Sequence, residues 1–249
     1  MLTGVELLIA LLAVLAGATI MGTVSFGMGL VVAPVLLLFL DPKDAIVTVN
    51  AIIPILLAFV LLTTWRYLQL SRLKGMALGG ILAVPLGVLV LESANPTFLR
   101  ITIGAAILCL GVLNLLNIQL PMANRRGSGL FVGFLTSLSI TTLSIGGPLA
   151  AAYVVAQNWE REQMRSALAF YFICTYVVGF VLYYATGLVD RETLINIGLM
   201  VPSLVAGFGI GAVLVRRMNT AVFRYVAIGV IITGSLVLLG QEVSKVLAG

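Results

Sequence analysis

Apolar residues run almost unbroken along this chain. Charged residues cut them into eight segments, 7–40, 45–65, 75–91, 101–124, 127–159, 166–189, 193–215 and 225–241. Each reaches or approaches the roughly 20 residues that cross a ~30 Å hydrocarbon core. None shows the apolar-polar alternation of a barrel strand, and a helix satisfies its own backbone hydrogen bonds in lipid. The pattern predicts an all-α integral membrane protein, a polytopic helical bundle. Two segments are too long for one straight crossing: 7–40 has 34 residues and 127–159 has 33, roughly 50 Å of helix at 1.5 Å per residue. Each must tilt strongly, break or fold back. Both contain glycine-rich stretches, "SFGMGLVVAP" from Ser25 and "LSIGGPLAAA" from Leu143.

The order of segments, one long broken run followed by three ordinary runs, occurs twice. Setting Gly29 against Gly147 also sets Ala33 against Ala151. The polar linker "PMANRRGSG" at 121–129 divides the chain into two expected repeats, 1–120 and 121–249. Lys and Arg favour the cytoplasmic side of a membrane, and eight simple spans would distribute them evenly. If 127–159 returns to its starting side, one face gathers Arg66, Arg72, Lys74, Arg125, Arg126, Arg161, Arg165, Arg216, Arg217 and Arg224. The other keeps Lys43, Arg100, Arg191 and Lys245. A non-crossing 75–91 run gives a weaker bias. The preferred count makes the halves enter from opposite faces, the inverted-repeat plan of many secondary transporters. Whether 7–40 also re-enters is left open, because no Lys or Arg precedes Lys43.

Composition narrows the function classes. The chain is 61% hydrophobic with 23 charged side chains in 249 residues, against about a quarter charged in soluble domains. The net charge of +5 follows loop placement and implies no nucleic-acid partner. There is no His, and Cys109 and Cys174 lie within apolar runs without metal-ligand spacing. No metal, disulfide or cofactor is expected, and no side-chain cluster suits an intramembrane enzyme. Asp and Glu are absent from the middle of every run, so no buried carboxylate relay is expected. The amino end resembles a secretory leader, but it carries Glu6 and no Lys or Arg ahead of the apolar run, so it reads as part of the fold.

The candidate site lies at the two glycine-rich stretches. Six hydroxyls stand between Thr136 and Ser144, followed by Gly146, Gly147 and Pro148. A break inside lipid exposes N–H and C=O groups that cost several kcal/mol each, so it is tolerated only against protein or a watery cavity. Glycines let the backbone turn and approach a ligand, and Pro148 suits the first turn of a new helix. Two helix N-termini meeting at one point supply about one positive charge, matched to a monoanion. Candidate binding residues are Thr23, Ser25, Gly27 and Gly29 in the first stretch, with Ser139, Thr141, Thr142, Ser144, Gly146, Gly147 and Pro148 in the second. The helix ahead of each break presents carbonyls of opposite sign, which would cancel this field if the arms were collinear. The alternative is that these hydroxyls bond carbonyls in their own helix and the glycines only pack. Asn50 and Tyr171 are candidates for lining a pathway, and Arg165 for attracting anions. "GMALG" at 75–79, "GLFVG" at 129–133 and "GFGIG" at 207–211 are read as helix-packing patterns.

With "GTVSFGMGLVVAP" and "TTLSIGGPLAA" at matching places in two four-segment halves, the chain resembles the TauE/SafE family of bacterial membrane proteins. The resemblance covers nearly the whole chain. It implies export of sulfite, sulfoacetate or a related organosulfonate across the cytoplasmic (inner) membrane. It carries the family's glycine motifs to Gly27, Gly29 and Pro34 and to Gly146, Gly147 and Pro148, with Met28 and Leu30 interrupting the first. The expected function is secondary transport of a small sulfur-containing anion by a multi-pass protein in the lipid bilayer. The rivals are transport of another small anion and a non-transporting assembly partner. The coupling ion and any homo-oligomeric state are left open.

Overall fold

A computed structural model describes residues 2–24, 26–115, 128–157 and 159–214. Among the described residues the chain is helical throughout, without strands. The helices are α1 (Gly4–Val24), α2 (Met28–Leu36), α3 (Pro42–Thr64), α4 (Leu70–Ser93), α5 (Pro96–Leu115), α6 (Ser128–Leu143), α7 (Gly147–Ala156), α8 (Arg161–Ala185) and α9 (Arg191–Leu214). A short 3-10 turn, Trp65–Tyr67, ends α3. Among the described residues, five helical stretches are long and apolar enough to cross a membrane: Gly4–Gly22, Pro42–Tyr67, Leu70–Ser93, Glu162–Ala185 and Arg191–Val213. The expected run 225–241 and most of the 121–129 linker lie outside the described residues.

Helix starts follow local chemistry. Pro42 opens α3 and Pro96 opens α5, where a missing N–H is no loss. Asp190 caps α9, its Oδ1 accepting from the Thr193 N–H at 2.7 Å. Apolar side chains left on the outside form helical stripes, such as Val5, Leu8 and Leu12 on α1 and Leu78, Leu82, Leu86 and Leu89 on α4. In a membrane these stripes face lipid.

The bundle is centred on α3 against α8. α4 packs on α6 and α8, while α9 packs on α1 and α3. The tightest crossings use glycine, as expected where helices associate by close backbone approach. A Cβ at Gly79 would strike the Leu130 carbonyl, one at Gly133 the Met76 carbonyl and one at Gly207 the Leu15 carbonyl. Each of the three small-residue patterns thus supplies a close helix crossing.

Both long runs break and fold back. Gly17 on α1 lies against Val32 and Met28 of α2, and Gly129 at the start of α6 lies against the Tyr153 hydroxyl of α7. The second arm of each run therefore lies alongside the first instead of continuing beyond it. Arg100 at the start of α5 donates to the carbonyls of Leu37 and, at 3.1 Å, Leu40, just past the end of α2. Lys43 at the start of α3 donates to the Glu92 carbonyl at the end of α4. Leu2 N–H bonds Asn196 Oδ1 on α9 at 3.1 Å. The starts of α1, α3, α5 and α9 and the ends of α2 and α4 thus share one end of the bundle.

Candidate functional site

The site begins with two interruptions. α1 stops at Val24 and α2 restarts at Met28; α6 stops at Leu143 and α7 restarts at Gly147. Gly29 and Gly147 thus stand at or next to the first residue of the second arm in each half. Among the described residues each turn has one at positive φ, Gly27 at 98° and Ser144 at 57°. Glycine meets this demand without steric cost. Ser144 requires support, because a side chain costs roughly 1–2 kcal/mol in the left-handed region.

The two turns touch. A Cβ on Gly29 would collide with the Ser144 carbonyl, and one on Gly147 would stand 3.0 Å from Phe26 Cβ and 3.3 Å from the Gly27 nitrogen. Bare backbone at Gly29 and Gly147 is what lets the amino ends of α2 and α7 come together. Gly27, Met28, Gly29, Ser144, Gly146 and Gly147 line one small crevice, closed by Phe26, Phe172 and Tyr176 among others. The space open to the centre of a water molecule is about 10 Å³, enough for about one water. The first N–H groups of a helix lack intrahelical acceptors, and the amino ends of two helices border this crevice, with no charged side chain among the described residues of its lining.

Behind the second turn lies a buried polar network. Ser144 Oγ donates to Asn50 Oδ1 at 2.7 Å. Asn50 Nδ2 is 3.0 Å from both the Ile140 carbonyl and the Tyr183 hydroxyl. Tyr183 donates in turn to the Thr141 carbonyl at 2.6 Å. The amide orientation follows from its partners, since the carbonyl needs the NH₂ group and Ser144 can donate to the oxygen. The Ile140 and Thr141 carbonyls at the end of α6 are therefore occupied by donors.

A family model described as "Sulfite exporter TauE/SafE" matches residues 9–238. The chain belongs to the TauE/SafE family. A curated relative from Cupriavidus necator, described as "Probable sulfite/organosulfonate exporter TauE", is 30% identical over 238 residues, covering 91% of this chain and 93% of the relative. No solved structure gives a match. TauE/SafE proteins are transporters and not enzymes, so this chain is a multi-pass membrane transporter.

Within this TauE/SafE chain, Gly27, Gly29, Ser144, Gly146 and Gly147 are the sequence candidates brought together at the crevice. Thr23, by its side chain, and Ser25 altogether lie outside the described residues. Thr141 Oγ1 donates back to the Ser137 carbonyl at 2.9 Å and Thr142 Oγ1 to that of Leu138 at 2.7 Å, the usual habit of hydroxyls in apolar helices. Ser139 stands in the last turn of α6, half-buried, its carbonyl accepting from Ile145 N–H at 3.3 Å. Pro148 is the second residue of α7 and does not border the crevice. Arg165 pairs with Glu162 at 3.2 Å near the start of α8. Tyr171 is fully buried, lies against Gly80 and donates to the Gly133 carbonyl at 2.6 Å.

The sequence reading missed the aromatic walls. Phe172 and Tyr176 lie four apart on α8 with ring centroids 6.2 Å apart, so they share a helix face. That spacing was the available signal. Tyr171, one residue away, points to another face of the same helix.

Proposed function

We propose that this transporter moves a small sulfur-containing anion, sulfite or a simple organosulfonate, outward across the cytoplasmic membrane, and binds it where the α2 and α7 amino ends meet. The observation that carries the reading is the contact of Gly29 with Ser144 and of Gly147 with Phe26 and Gly27, which brings two helix N-termini to one crevice. Each contributes roughly half a positive charge, so together they match one negative charge without a buried Arg or Lys. Gly27, Gly29, Gly146 and Gly147 supply backbone donors there. The family description and the Cupriavidus necator relative support the substrate class.

The crevice has room for about one water, so a sulfur oxyanion enters only after the arms part. We take residues 1–120 and 121–249 as two repeats of opposite orientation. Rocking of one against the other would open the crevice to each side in turn. The matched packing of α4 on α6 and α9 on α1, and of α4 on α8 and α9 on α3, supports this plan.

The test is flux from liposomes loaded with sulfite and containing the purified protein. Protein-dependent, saturable efflux that simple sulfonates compete for is the expected result. No protein-dependent flux of sulfite or of simple sulfonates would overturn the reading.

A further inference from the structure

We propose that Asn50 and Tyr183 are positioning residues for the anion site: from behind the second break they offset part of the negative charge at the carbonyl end of α6, so that the amino end of α7 acts on the anion with less opposition. This rests on the reading of the crevice as an anion site. A helix that ends where another begins sets about half a negative charge beside half a positive one, and only three residues separate the end of α6 from the start of α7. Left alone, the last carbonyls of α6 would cancel much of the field that α7 presents.

The geometry weakens that opposition. Two carbonyls of this last turn accept side-chain protons, Ile140 from Asn50, beside the Ser144 N–H that it also accepts at 2.9 Å, and Thr141 from Tyr183. Asn50, on α3, and Tyr183, on α8, are 1% and 0% exposed, and neither borders the crevice. They therefore act through the backbone without touching the solute. The same amide oxygen accepts from Ser144, which holds that residue at its positive φ and fixes the direction in which α7 leaves. Each of the three groups is the partner of another, so the effect depends on the set.

Sulfite flux from proteoliposomes tests this with three variants, each first checked for membrane insertion and a monodisperse profile in detergent. Tyr183→Phe removes one oxygen. It is expected to raise KM about three- to tenfold, the effect of losing about 0.6–1.4 kcal/mol of anion binding, with maximal flux little changed. Asn50→Asp keeps the shape and the acceptor for Ser144 but loses both donated bonds and adds negative charge. It is expected to raise KM more than Asn50→Ala does, although alanine disturbs the packing more. A purely structural role gives the opposite order, with the near-isosteric Asp variant the milder one and maximal flux falling in parallel with stability. That order, or an unchanged KM in Tyr183→Phe, overturns the proposal while wild-type flux leaves the anion site standing. Absence of wild-type flux removes the anion site and this proposal with it. Should the Asn50 variants fail to insert, Tyr183→Phe decides alone.

Discussion

Ser144 carries the strain of the second turn, and its surroundings explain how it is tolerated. The residue is 3% exposed with φ at 57°, a conformation that glycine would adopt more cheaply. Glycine would lose the hydroxyl that bonds Asn50 and leave a buried acceptor unpaired, at about 1–3 kcal/mol. Gly147 faces the other side of the crossing, where a methyl group meets the Phe26 side chain and the Gly27 nitrogen. Leucine there would fill the crevice and screen the α7 amino end. We expect Gly147→Leu to insert normally and to lose sulfite flux altogether, measured as protein content of the membrane against efflux from proteoliposomes. Saturable flux at the wild-type level would exclude backbone contact with the solute at this position. The hydroxyl-rich stretch was conspicuous in the sequence, but composition alone does not say where each hydroxyl points. Thr141 and Thr142 turn back to carbonyls four residues earlier, while Ser144, beyond the last helical turn, has no such partner and reaches across to α3.

Element by element, the helices were legible because lipid requires them. Charged residues and prolines mark most of their ends. The break positions were also visible in the glycines, and Gly29 and Gly147 each meet the backbone of the opposite turn. Capping shows how local chemistry sets an end. The Asp190 carboxyl accepts from the Thr193 N–H, and this bond holds its pKa below the ordinary carboxylate value. A depressed pKa means that the cap contributes fully above the unfolded-state value and is lost as pH falls through the folded-state one. Asp190→Ala is expected to cost about 1 kcal/mol, read as a lower thermal midpoint in detergent at neutral pH. The difference from wild type should shrink on acidification below the carboxylate range. A midpoint difference that persists unchanged in acid would assign the loss to something other than the cap.

For the whole molecule, the consequence of the folded-back arms is topological. The α7 arm returns alongside α6, with Tyr153 beside Gly129. The start of α6 and the end of α7 then lie at the same end of the bundle. Reporters of compartment fused at Gly127 and at Arg161 are expected to give the same signal, matching the gathering of Arg125, Arg126, Arg161 and Arg165 on one face. Opposite signals would mean that 127–159 crosses completely and would remove the opposed orientation of the halves. Arg100 gives the corresponding anchor in the first half by binding carbonyls just past the end of α2. Each arm is thus held from a neighbouring helix, α2 by α5 and the α6–α7 turn by α3 and α8.

The sequence by itself determined a helical membrane protein, the two interrupted runs and the family, because these follow from apolar length, backbone hydrogen-bond demand and glycine placement along the chain. Which side chains face the crevice was decided only in the folded bundle. Adjacent residues on a helix point about 100° apart, so Tyr171 and Phe172 are equivalent in a list of apolar and aromatic positions. They take opposite duties once α8 is pressed against α4 and α3. Asn50 shows the same limit: its place in α3 was plain, but its task depends on the Ile140 carbonyl, 90 residues away, that only tertiary packing brings within reach.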